Sequence, residues 1–101
     1  METSEKIVAA IKPFGVPCVP DLYTGGAKRF VTYNFADDQP ETVVNSMQIH
    51  FFMPANESYI SWKKKIRKAL FDAGFTFPEV IIQTEDENTI RHMIFECSIE
   101  E

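Results

Sequence analysis

The stretch 43-VVNSMQIHFFM-53 decides the fold. Met47, Ile49, Phe51 and Met53 fall at every second position. Side chains alternate across a strand, so this spacing predicts a strand with one face turned to a core. Pro54 ends it, because proline brings no N–H to a ladder. Upstream, residues 29–36, RFVTYNFA, are rich in β-branched and aromatic side chains. There Arg29, Val31, Tyr33 and Phe35 face one way, and Phe30, Thr32, Asn34 and Ala36 face the other. The polar stretch ADDQPET lies between the two runs, which together predict a long hairpin.

A second hairpin is predicted downstream, from EVIIQTE at 79–85 and IRHMIFECSI at 90–99, with the turn in TEDENT. Met93, Phe95, Cys97 and Ile99 form its inward face. In the helix expected over 58–73, Tyr59, Trp62, Ala69, Leu70 and Ala73 fall within about 60° of Ile66 on a helical wheel. Asn56 or Ser58 is the expected N-cap, and Gly74 the residue that ends the helix. Residues 4–12, SEKIVAAIK, predict a first helix capped by Ser4, with Ile7, Ala10, Ile11 and Phe14 at helical spacing. Pro13 and Gly15 stop it. VPCVP at 16–20 must be extended, because each proline biases its predecessor away from the helical region. Two prolines in five residues permit only an edge strand or a strand-like connector. DLYTGGAK is a turn-rich loop. The order is therefore α-β-β-β-α-β-β. That predicts an α+β fold: a mainly antiparallel sheet of about five strands with both helices on one face.

The chain has 101 residues, 45% of them hydrophobic, which predicts one ordered domain. The polar start METSEK lacks the form of a signal peptide, and no apolar run is long enough to span a membrane. Cys18 and Cys97 match no metal spacing and form no CxxC pair. They read as reduced thiols of a cytosolic protein, with a disulfide between them as the alternative. Net charge is −5. Residues 58–73 nevertheless carry Lys63, Lys64, Lys65, Arg67 and Lys68 against Asp72 alone, +4 in sum, leaving −9 for the remainder. Such asymmetry favours self-association or a charged partner. The acidic remainder repels phosphate and Trp62 belongs to the core stripe, so nucleic-acid recognition is not expected.

His50 and His92 each sit mid-strand between apolar neighbours. No carboxylate lies at ligand spacing from either, so they read as sheet-surface histidines, which would share a face if their strands were adjacent. Cys97 points inward, which disfavours its thiolate, and Cys18 lies between prolines with no base nearby. No Cys–His pair or nucleophile elbow is present in the sequence. The carboxylate clusters Asp37, Asp38, Glu41 and Glu85, Asp86, Glu87 fall at hairpin tips, where water solvates them. Gly25-Gly26 is a turn signal, not a phosphate loop, so no cofactor, metal or catalytic residue is expected. One row stands out. Ile60 and Phe71 lie about 120° and 140° from Ile66 and frame Lys64 and Arg67 along the helix. Apolar residues around basic ones on an exposed face predict a protein contact, against the simpler reading of a solvated helix face.

Five segments, 15-GVPCVPDLY-23, 33-YNFAD-37, 45-NSMQIHFF-52, 68-KALFDAGF-75 and 93-MIFECSI-99, stand in an order that resembles a known family. This is the group of small bacteriophage and prophage tail-completion proteins, the tail-terminator and head–tail joining family. The resemblance covers roughly residues 8 to 100 and includes no active-site motif. Two features depart from it: Ala27-Lys28-Arg29 stands where family members often carry prolines, and the second helix carries lysines where theirs often carries glutamates.

The resemblance implies a non-enzymatic structural subunit. It would be made in the bacterial host cytoplasm and incorporated at the head-proximal end of the virion tail. It implies assembly with other copies, commonly as a hexameric ring, and docking on tail tube or head–tail connector proteins. The expected interface residues are Ile60, Lys64, Arg67 and Phe71 on the helix, with Asp37 and Asp38 in a loop reaching an axial partner. The alternative from the residues alone is a small cytosolic α+β ligand-binding or regulatory domain, its pocket lined by exposed Phe52, Tyr23 and the Gly25-Gly26 loop.

Overall fold

The computed structural model describes residues 2–36, 44–85 and 90–100. Helix α1 spans Thr3–Ile11, followed by a 3-10 turn over Lys12–Phe14. Strands β1 (Cys18–Pro20), β2 (Phe30–Phe35) and β3 (Val44–Pro54) precede helix α2 (Ile60–Asp72), and β4 (Glu79–Glu85) and β5 (Ile90–Glu100) close the chain. The α+β order α-β-β-β-α-β-β is as the sequence predicts.

The strands form a five-stranded sheet in the order β1-β2-β3-β5-β4. Both predicted hairpins are present as antiparallel pairs, β2 with β3 and β4 with β5. The long β3 and β5 join them, in register from Val44↔Glu100 to Pro54↔Ile90. Among the described strands only β1 runs parallel, against β2 at the edge, where Pro20 within it and Pro17 just before it bring no N–H to the open side.

One face of the sheet carries the core. Met47, Ile49, Phe51 and Met53 of β3 and Met93, Phe95, Cys97 and Ile99 of β5 are buried there. Ile7 and Ile11 of α1 and Ile66 and Leu70 of α2 join the same cluster, so both helices pack on this face. Each such side chain contributes roughly 1.5–3 kcal/mol by leaving water. Trp62 lies between Phe51 and Phe14, ring centroids 4.9 and 6.1 Å away, as a core residue.

The helix ends differ in how well the sequence anticipates them. At the C-terminus of α2 the Phe75 N–H donates to Leu70 O and the Gly74 N–H to Phe71 O, both at 3.1 Å. Gly74 has φ +105°, a conformation that side chains disfavour, so glycine closes this Schellman motif as predicted. The starts are corrections. Ser4 lies inside α1, whose N-cap is Glu2; the helix begins earlier because Thr3 is buried and accepts a hydrogen bond from Asn45 Nδ2 at 3.0 Å. Neither Asn56 nor Ser58 caps α2, whose N-cap is Tyr59 with no side-chain bond. Residues 54–57 are held as a turn instead: Glu57 N–H donates to Pro54 O, Glu57 pairs with Arg29, and Arg91 Nη2 donates to Ala55 O. That turn delays the helix by a few residues.

Candidate functional site

The predicted row on α2 follows from helical geometry. Residues 60, 64, 67 and 71 are four, three and four apart and so align along one side. Ile60 and Phe71 are each 55% exposed, far from the buried Ile66 and Leu70 of the same helix. Lys64 is exposed and Arg67 half-buried.

Arg67 is held in place. Its Nε donates to Pro78 O at 3.0 Å, and its guanidinium carbon sits 4.1 Å over the Phe77 ring. Phe77 meets Phe71 edge-on, ring centroids 5.8 Å apart, and is itself 56% exposed. The Phe77 ring and the Pro78 carbonyl thus fix the guanidinium in direction, while its terminal nitrogens can donate to an incoming carboxylate. Sequence reasoning misses Phe77 because TFP lies in a connection with no periodicity to read. Its one signal is an aromatic directly before a proline. Lys68 pairs instead with Asp72 at 2.6 Å, one turn along the helix. Asp37 and Asp38 lie outside the described residues.

The opposite face of the sheet has no helix on it among the described residues. Its cross-strand rows follow from the register: Glu79, Glu96, Gln48 and Asn34; then Ile81, Ile94, His50 and Thr32; then Gln83, His92, Phe52 and Phe30. Four rings stack across it, Tyr23, Phe30, Phe52 and His92, with successive centroids 4.2–4.7 Å apart, and His50 lies tilted against His92 at 4.9 Å. Phe52 and Tyr23 are therefore half-buried in this stack and not exposed as expected. Phe52 and Phe30 also border a depression of about 450 Å³ with Lys28, Asn56 and Ile90.

The histidine strands are adjacent, and the imidazoles meet. His50 Nδ1 lies 2.7 Å from His92 Nε2, and His50 Nε2 lies 2.9 Å from Asn34 Oδ1. A carboxamide oxygen only accepts, so His50 Nε2 donates to Asn34, and in the neutral ring this leaves Nδ1 to accept from His92 Nε2. The ring nitrogens that face one another are thus engaged with one another. Among the described residues, no three His, Cys, Asp or Glu side chains come together as a metal-sized group. Cys18 and Cys97 are both free thiols, and burial pushes them up to about 11 and about 12. No helix among the described residues is long and apolar enough to cross a membrane.

No family model and no curated protein matches the chain. A solved structure does. It is a chain of the virion of a native gene transfer agent (GTA) particle, with a TM-score of 0.50. That chain is 15% identical in sequence, and the match covers 94% of this chain and 84% of that one. At this identity the likeness is one of fold, and it spans nearly the whole sheet-and-helix arrangement described above.

Proposed function

We propose that this protein is a structural component of a phage-like particle, a tail-terminator or head–tail joining subunit that acts by docking and not by catalysis. The observation that carries this reading is the fold shared with a chain of a gene transfer agent virion. The α2 face supports it. Exposed Ile60, Phe71 and Phe77 frame Lys64 and the fixed Arg67, as suits a contact that combines apolar area with charge. The partners would be other copies, with a hexameric ring as the expected form, and tail tube or head–tail connector proteins. Neither nucleic-acid sequence nor membrane enters this role. In the same reading, the loop that carries Asp37 and Asp38 reaches an axial partner.

The test is the double variant Lys64→Glu/Arg67→Glu, followed by its incorporation into particles and its assembly by light scattering. Assembly should weaken by roughly tenfold or more, since reversing interface charges replaces attraction with repulsion. Circular dichroism should stay close to wild type, because neither side chain belongs to the core, while the melting temperature should fall by a few degrees as Arg67 gives up Pro78 O and the Phe77 ring. Wild-type incorporation by the double variant would show that α2 is not an interface.

A further inference from the structure

We propose that the bare face of the sheet is the receptor for α2 of a second copy, so that copies join head to tail. This rests on the docking role proposed above and goes further by naming the complementary surface. A sheet packed by helices on one side only leaves its second face to be covered, and a helix is the element that completes a third layer. Here that face has the chemistry the α2 row lacks.

Glu79 and Glu96 lie directly opposite one another across β4 and β5. Like charges in that relation destabilise a strand pair. Among the described residues neither carboxylate has an ion-pair partner. A cation from outside relieves both. The next pair on β4 and β5 on the same face is apolar, Ile81 beside Ile94, with Ile81 45% exposed. The face therefore offers two carboxylates and, one step along the strands, two isoleucines.

The α2 row offers the inverse at matching spacing. Arg67 and Phe71 are four residues apart, about 6 Å along a helix at 1.5 Å per residue. Glu96 and Ile94 are two residues apart, about 6.6 Å along a strand at 3.3 Å per residue. A helix laid along β4 and β5 places Lys64 and Arg67 over Glu79 and Glu96, and Phe71 over Ile81 and Ile94. Within one copy this contact cannot form, because α2 packs on the other side of the sheet. The two surfaces differ, so the contact is heterologous and leaves each bound copy with one of them open to the next.

Charge exchange tests it. One variant carries Lys64→Glu/Arg67→Glu, the other Glu79→Lys/Glu96→Lys, and sedimentation velocity follows each from micromolar to millimolar concentration. The wild type should self-associate. Each variant alone should associate at least roughly tenfold more weakly, since it opposes like charges. An equimolar mixture should regain association, because every contact between unlike copies is then complementary. A mixture that stays monomeric, a sheet variant that associates as the wild type does, or a wild type monomeric throughout overturns the proposal. If the lysine pair impairs folding, Glu79→Gln/Glu96→Gln removes the attraction without reversing it and should still weaken association. Incorporation into particles separates the two readings. Loss in the helix variant with full incorporation of the sheet variant leaves docking through α2 standing and overturns this contact; full incorporation of both overturns both.

Discussion

The Cys97 side chain shows how far one position is governed by its surroundings. It lies on the inward face of β5 among Met47, Phe95 and Ile99, and burial pushes its thiol up to about 12 from the ordinary 9.0. Low-dielectric surroundings penalise the thiolate and leave the neutral thiol untouched. At pH 8 the thiolate fraction is then roughly a thousandfold below that of a free cysteine, because each pKa unit is a factor of ten. Iodoacetamide should therefore label Cys97 very slowly in the native protein and promptly in denaturant, as read by mass spectrometry of the peptide. Prompt native labelling would contradict the burial. The linkage sign follows. The folded value lies above the unfolded one, so this contribution to stability is complete below pH 9 and is lost as pH rises toward 12. Cys97 was placed inward by alternation alone. Phe77 was invisible at the same scale, because its role depends on Arg67 reaching across from a different element.

At the scale of elements, α2 separates two kinds of isoleucine. Ile66 is buried against the sheet, whereas Ile60 on the same helix is 55% exposed. Ile66→Ala should cost about 2–5 kcal/mol in denaturant unfolding, the range for a large-to-small change in a packed core. Ile60→Ala should stay within about 0.5 kcal/mol, as exposed positions do. Equal costs would mean that the face assignment is wrong. The faces of α2, β3 and β5 were legible in the sequence because 3.6-residue and two-residue periods survive in a linear string. The sheet order was not. β5 inserts between β3 and β4, and nothing local in either sequence specifies that pairing. The helix starts are not local either: Asn45 of β3 pulls in Thr3, and Arg29, just before β2, and Arg91 of β5 hold the turn before α2. The meeting of His50 with His92 also depends on register, and it leaves His92 buried beneath its neighbours where an open sheet-surface position is expected.

Across the whole molecule, the decisive property is the placement of charge. The segment 58–73 carries +4 and the remainder −9, so two copies attract in some orientations and repel in others. Long-range steering of this kind is screened by salt, with a Debye length of about 10 Å at 0.1 M and about 3 Å at 1 M. The apolar part of the proposed contact, Phe71 against Ile81 and Ile94, has no such dependence. Self-association measured by sedimentation should therefore weaken several-fold as sodium chloride rises across that range and then level off. The Lys64→Glu/Arg67→Glu variant should show the opposite slope, because salt screens a repulsion in that case. Circular dichroism should stay constant throughout, since the core cluster of the described residues is apolar and neither of their ion pairs belongs to it. Association independent of salt in the wild type would remove charge from the contact and leave only its apolar area. Loss of the opposite slope in the variant would place the interface somewhere other than α2.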